Sequence, residues 1–206
     1  SQNFKININP FLNYIEDYMF LKPVVFETTI RGAFPVWEYQ QINALLTGID
    51  LNSEWQISEH WQHRLLLSYV NGKDKTNDDF IIDMPPLNIN NRISFNKRDW
   101  KNLTIELQSE MVFRQTQFPN NNFMTNIIVD GELSPVEVDI SSPPAAYHLL
   151  HFASDFQFKI ANNSMATLGF SVFNLLNTKY RDYLNRQRFY ADELGRNFQI
   201  QLKINY

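Results

Sequence analysis

The chain has 206 residues, 17 Phe, 9 Tyr and 4 Trp among them, and a charged fraction of only 19%, below the quarter or so usual for soluble domains. Its 18 basic and 22 acidic residues give a net charge of −4, and no Lys/Arg run supplies a phosphate footprint, which excludes a nucleic-acid surface. The absence of cysteine excludes a thiol nucleophile, a thiolate metal site and a disulfide framework.

The chain opens "SQNFKININPF" with neither a basic nor an apolar leader segment. No stretch approaches the roughly 18 consecutive apolar residues of a membrane helix, so the start is expected to be processed or truncated. Extended, aromatic sequence runs from Phe4 to Phe20 across Pro10. Lys22 to Pro35 is expected to be a loop. Val36 to Ile57 contains "QQINALL", which would suit a helix, but Thr47, Gly48 and Ile49 oppose one. The alternation of Leu45, Thr47, Ile49 and Leu51 against Ala44, Leu46, Gly48 and Asp50 favours a long strand.

A turn over Ser58 to Gln62 leads to a strand from His63 to Val70, followed by an acidic loop closed by Pro85 and Pro86. Strands follow at Asn91 to Asn96 and Leu103 to Phe113, the second with Leu103, Ile105, Leu107, Met111 and Phe113 opposing Thr104, Glu106, Gln108 and Glu110. Arg114 to Ala146 reads as an irregular excursion with a short hairpin around Asp130-Gly131. Tyr147 to Ile160, the turn "ANNS" and Met165 to Leu176 form the next hairpin. After a polar loop from Asn177 to Gly195, the chain closes on a strand from about Arg196 to Tyr206. In "FQIQLKINY", Phe198, Ile200, Leu202, Ile204 and Tyr206 fall on one face, with Gln199, Gln201, Lys203 and Asn205 on the other.

The count is eight antiparallel strands whose gaps alternate long (21–35, 71–87, 114–146, 177–195) and short (58–62, 97–102, 161–164). Outer-membrane β-barrels have this rhythm, because outward loops are free to grow while periplasmic turns stay short. Trp55, Trp61 and Trp100 lie near two short turns, where a lower aromatic girdle would fall. A soluble sandwich has no reason to alternate so regularly.

The segment "SVFNLLNTKYRDYLNRQRFYADELGRNFQIQLKINY", from Ser171 to Tyr206, resembles the C-terminal end of TonB-dependent outer-membrane receptors, especially those of Bacteroidota-like bacteria. "NYIEDYMFLKP" and "EYQQINALLTGIDL", with Ala44 and the Gly48-x-Asp50 element, are similar to paired strands of that family's barrel. The resemblance implies an all-β, antiparallel transmembrane β-barrel of which about eight C-terminal strands are present, out of about 22, with the plug domain absent from residues 1–206. It implies active uptake of a scarce nutrient such as an iron complex, haem, cobalamin or a metal. The partners it implies are outer-membrane lipid and lipopolysaccharide, the rest of the barrel and plug, the energy-transducing TonB complex through the missing plug, and the barrel-assembly machinery. The final strand, with Phe198, Ile200, Leu202, Ile204 and Tyr206, resembles the signal that this machinery reads, and Gly195, Arg196 and Asn197 resemble a rim turn.

The residues themselves carry little chemistry. His60/His63 and His148/His151 are spaced by three, which in a strand sends each pair to opposite faces, so neither pair chelates from extended backbone. His148 or His151 near an outer rim is a candidate metal or haem contact taken singly. Asp74, Asp78, Asp79 and Asp83 crowd one loop and Asp130, Glu132, Glu137 and Asp139 another, either as cation sites or as solvated charge. Asp78, Asp79 and Asp83, with Arg181, Arg186 and Arg188 of the last loop, are the ligand-loop candidates. The arginines would meet an anion, or order the loop through Asp182, Asp192 and Glu193. No nucleophile elbow, Gly-rich fingerprint or fixed acidic pair points to an enzyme or a cofactor. Two alternatives stand beside uptake: a self-contained eight-stranded barrel acting as anchor or adhesin, and a soluble β-rich glycan-binding module.

Overall fold

The computed structural model describes residues 3–30, 32–129, 132–161 and 164–205. Its strands are β1 (Phe4–Thr29), β2 (Gly32–Gln56), β3 (Trp61–Asp74), the two-residue β4 (Asp79–Phe80), β5 (Asn88–Lys97), β6 (Leu103–Val112), β7 (Phe123–Val129), β8 (Glu132–Val138), β9 (Tyr147–Ala161), β10 (Ser164–Phe173) and β11 (Asn197–Asn205). Eight of them form one antiparallel wall in the order β1-β2-β3-β5-β6-β9-β10-β11, with β4 against β3 and β7-β8 as a separate hairpin. The eight strands and their neighbours are those the alternation predicts. The wall is open: among the described residues β1 and β11 stand at opposite ends and do not pair.

The expected loop over Lys22 to Pro35 is instead strand up to Thr29 and again from Gly32. β1 and β2 run 26 and 25 residues and stay paired from Phe4↔Trp55 to Thr29↔Gly32. Two irregularities hid this. Register shifts at Ile15/Tyr18 and Pro23/Val25 each insert a residue and break the period-two pattern, Asp17 taking φ 57° at the first. Pro23 and Pro35, which read as punctuation, are tolerated because a two-stranded ribbon has open edges. β3 accompanies β2 only over Ala44 to Gln56, so residues 16–43 project beyond the wall. β5, β6 and β10, at 10 residues each, match the roughly 9–11 residues of a tilted membrane strand.

Because neighbours are antiparallel, the hairpin tip and the connections 75–87, 113–146 and 174–196 share one end, and the short connections 57–60 and 98–102 share the other. The tip of the β7-β8 hairpin at Asp130-Gly131, Asn162 and Asn163 of the ANNS turn, and Tyr206 lie outside the described residues.

Register sorts the side chains into two unlike faces. Leu107 is flanked by Ile93 and Phe152, and Leu168 by Phe156 and Leu202. Phe170 packs its ring 6.5 Å from both Phe152 and Phe198. On the opposite face Glu54 faces Arg64, Arg92 faces Gln108, and Asp155 faces Gly169 and then Gln201. At the short-turn end of the apolar face, Trp61 and Trp100 contact Phe95 at 5.0 and 6.3 Å, and Lys97 lies over Trp100 at 4.5 Å, an aromatic band where the tryptophan positions predicted one.

Among the described residues no second sheet is layered on either face. Among the described residues Ile42, Ala44 and Ile81 form a hydrophobic cluster of buried residues, which seats the loop after β3 against the base of the ribbon. The largest fully buried side chain among the described residues is Ile81. A soluble sandwich joins two inner faces into a core about 10 Å thick, whereas here Ile200, at the centre of β11, remains 74% exposed.

Gly48 is fixed by close approach. A Cβ there would lie 2.3 Å from the Tyr69 carbonyl oxygen and 2.4 Å from the Phe11 ring, whereas one at Gly169 meets nothing nearer than 3.8 Å. Gly48→Ala is therefore expected to destabilise by about 1–3 kcal/mol through overpacking, and Gly169→Ala by much less. Denaturant midpoints of the two variants test this, and equal midpoints would contradict it.

Candidate functional site

The polar face is stitched across its strands. Arg64 donates to Glu54 at 2.5 Å, Ser68 to Asp50 at 2.6 Å, Arg92 to Gln108 at 2.7 Å, Ser94 to Glu106 at 3.3 Å and Asn88 to Glu110 at 3.3 Å. The first four pair directly opposed strand residues and Asn88–Glu110 is a diagonal pair, the units of sheet stabilisation. The result is a polar wall that runs up to the long loops.

Above it the loop 174–196 reaches back to elements distant along the sheet. Arg186 and Arg188 lie in its short 3₁₀ turn, Arg186–Phe189, where the Asn185 side chain accepts from the Gln187 N–H. Both approach Asp83 of the loop after β3, at 3.7 and 3.9 Å. Arg186 also stacks 4.2 Å over Trp37 of the projecting ribbon. Arg188 is 5% exposed; its guanidinium lies between the rings of Tyr183 and Phe189 at 4.5 and 4.6 Å and donates to the Tyr183 carbonyl. Three outer elements thus meet at one cation-rich point.

Of the six ligand-loop candidates, the fold brings Asp83, Arg186 and Arg188 together. Arg181 lies apart, donating to Asp192 at 2.7 Å and to the Arg188 carbonyl. Asp78 sits in a turn at φ 55°, and Asp79 accepts from the Phe80 N–H. Of the expected partners within the last loop only Asp192 is used by an arginine: Asp182 accepts from the Tyr147 hydroxyl at 2.7 Å and Glu193 from Asn185. Asp74 caps its own turn through the N–H groups of Thr76 and Asn77. Asp139 accepts from Ser141 and Ser142 N–H; the Ser142 side chain first, then the Ser142 and Ser141 N–H groups, hold its carboxyl below the usual range.

The base of the last loop is organised by two asparagines. Asn174, 3% exposed and at φ 51°, accepts from Thr178 N–H and donates to the Thr178 carbonyl. Asn177, at φ 54°, accepts from the Arg196 N–H at 2.9 Å, tying Gly195, Arg196 and Asn197, the residues expected as a rim turn, to the start of the loop. Two Asn three apart after a strand are the signal for this, since short amides cap local backbone and tolerate left-handed conformations. The histidines divide as their spacing requires: His148 points to the apolar face and bonds Ser109 at 2.8 Å, while His151 lies on the polar face 3.7 Å from Glu110. His63 pairs with Trp55 and Ile93 on the apolar face, and the His60 ring meets Phe95 edge-on.

Burial pushes the Asp83 carboxyl up, against the two guanidiniums that pull it down. Burial likewise lowers Arg188. Asp83→Ala is expected to weaken loop docking by about 3–5 kcal/mol, since it strands the buried Arg188 charge; Arg188→Leu is expected to cost less, because Asp83 keeps Arg186 and some water. Hydrogen-exchange protection over residues 182–190 reads the order, and the reverse order would remove the pair from the account.

No protein-family model and no curated protein sequence matches the chain. Solved structures do match its fold. The copper transporter OprC aligns over 98% of this chain and 29% of its own, at 16% identity and a TM-score of 0.70. A mutant of the ferric enterobactin receptor PfeA from Pseudomonas aeruginosa aligns over 98% and 29%, at 15% identity and a TM-score of 0.65. The FrpB iron transporter from Neisseria meningitidis aligns over 100% and 28%, at 14% identity and a TM-score of 0.64. These neighbours are TonB-dependent outer-membrane receptors, the family that the strands resemble in sequence. At such identities the likeness is one of fold, and the chain spans about three tenths of the length of the structures it matches.

Proposed function

We propose that residues 1–206 form the C-terminal part of the barrel wall of a TonB-dependent receptor in the bacterial outer membrane, which takes up a scarce nutrient by active transport. The observation that carries this is a single-layer sheet, apolar on one face and hydrogen-bonded on the other, aligned over 98% of its length with outer-membrane transporter walls. The apolar face meets lipid and the polar face lines a wet lumen. The cargo classes are an iron complex or a metal such as copper, for which the neighbours are named, with haem and cobalamin as further members of the class. The remaining strands, a plug, the TonB complex, lipopolysaccharide and the barrel-assembly machinery are the partners of this reading, and its role is transport rather than catalysis.

Two observations weigh against the other readings. A self-closed anchor or adhesin needs β1 on β11, and those strands do not pair among the described residues. A soluble glycan-binding module needs a core, and among the described residues this sheet has no second layer. The test is uptake of isotopically labelled iron complexes, copper, haem and cobalamin by cells with and without the gene that encodes the chain. Loss of one uptake, reproduced in intact cells by a protonophore, is expected. Undiminished uptake of all four would sink the proposal.

A further inference from the structure

The two short connections, 57–60 and 98–102, are tight turns held side by side. The Ile57 N–H donates to the Trp61 carbonyl at 2.9 Å and the Asn102 N–H to the Arg98 carbonyl at 3.0 Å, with Lys101 and Asn102 at φ 57° and 50°. The Asn96 N–H donates to the His60 carbonyl at 2.8 Å and joins the first turn to the end of β5. Between the turns lies a cleft of about 430 Å³ lined by Glu59, His60, Asn96, Arg98 and Asp99. A guanidinium and an imidazole N–H therefore stand beside two carboxylates. Among the described residues these four side chains form no ion pair with one another, so the cleft offers both signs of charge to a ligand.

The flank of the cleft is aromatic. The His60 ring meets Phe95 edge-on at 5.9 Å, and Phe95 is the centre of the band that holds Trp61, Trp100 and the Lys97 ammonium. Tryptophans of such a band sit at the headgroup level of a bilayer. A lysine there lays its stem on apolar surface and keeps its charge in the wet layer. The cleft thus stands at headgroup depth, and the apolar face of β3, β5 and β6 runs from it toward hydrocarbon.

We infer that this cleft seats the headgroup of a phospholipid that carries both a phosphate and a primary ammonium, of which phosphatidylethanolamine is the simplest. Arg98 and His60 donate to the phosphate, Glu59 and Asp99 accept from the ammonium, and the acyl chains lie on the apolar face beside Phe95. A purely anionic headgroup would meet the two carboxylates unfavourably, and a quaternary ammonium has no N–H to donate to them. The inference rests on the proposed function in taking the apolar face as the lipid face, and it places one lipid class at the short-turn end.

Calorimetric titration of the purified whole receptor in detergent compares four probes: the dihexanoyl forms of phosphatidylethanolamine, phosphatidylcholine and phosphatidylglycerol, and free phosphoethanolamine. The ethanolamine lipid is expected to bind up to about fivefold tighter than the other two lipids, the range of one exposed charge contact. Free phosphoethanolamine, which has no chains to lay on the apolar face, should bind more weakly than any of the lipids. Glu59→Gln combined with Asp99→Asn removes the negative charge and should abolish the preference for the ethanolamine lipid over the choline lipid. Arg98→Gln should weaken all three lipids alike. Equal binding of the three lipids, no binding, or a preference untouched by the double variant overturns the site. Phosphoethanolamine bound as tightly as its lipid overturns the lipid as occupant. A fluorophore on Ile200→Cys or Gln199→Cys, in a receptor without other cysteines and in vesicles of brominated lipid, tells the two failures apart. If the label at Ile200→Cys is quenched and that at Gln199→Cys is not, a negative titration removes only the site. The reverse pattern removes the lipid-face assignment with it.

Discussion

Leu202→Lys is expected, on the proposed membrane reading, to destabilise the sheet in a bilayer by about 2–4 kcal/mol, and Gln201→Lys by much less. The two positions are adjacent on β11 and differ only in the face they present. Leu202 is paired with Leu168, beyond which lies Phe156, so an ammonium there would be set in hydrocarbon near mid-strand. Gln201 is paired with Gly169, beyond which lies Asp155, so a lysine there gains water and a nearby carboxylate. Snorkelling reduces the penalty toward the strand ends, which makes the central pair the sharpest comparison. Urea unfolding of each variant of the whole receptor in lipid vesicles measures the difference. Equal destabilisation would mean that the faces are not lipid and lumen.

How much of this could be read from sequence differs by element, for physical reasons. β11 was legible residue by residue, because each of its faces has a uniform environment and alternation is then strict. β6 was legible for the same reason. The ribbon was not: bulges at Ile15/Tyr18 and Pro23/Val25 shift the period, and strands outside a bilayer or core carry no face to pattern. Among the loops, the sequence supplied the charges but not the partners. The arginines of 174–196 look locally paired with Asp182, Asp192 and Glu193, yet Arg186 and Arg188 find Asp83, about a hundred residues earlier, because the connections after β3 and β10 leave the same end of the sheet.

The eight wall strands taken alone are expected not to form a stable monomeric barrel, and this follows from the two edges. About half the backbone groups of an edge strand point away from the sheet, so edges of roughly ten residues each leave on the order of twenty N–H and C=O groups without partners. In hydrocarbon each such group costs several kcal/mol, a total of tens of kcal/mol against the roughly 5–15 kcal/mol that stabilises a typical domain. No rearrangement of loops offsets a deficit of that size. Only two arrangements remove it: pairing of each edge with further strands, or closure of β1 onto β11. Eight strands are geometrically sufficient for a small closed barrel, so closure is the competing outcome and needs a direct test. Asn7→Cys and Gln201→Cys lie on the polar face of β1 and β11 and would come within disulfide reach in a closed barrel of compatible register. Residues 1–206 refolded in vesicles are expected to give no intramolecular cross-link and no heat-resistant monomer on a denaturing gel. A heat-resistant monomer that cross-links efficiently would make the eight strands self-sufficient, and the uptake reading would lose its main structural support.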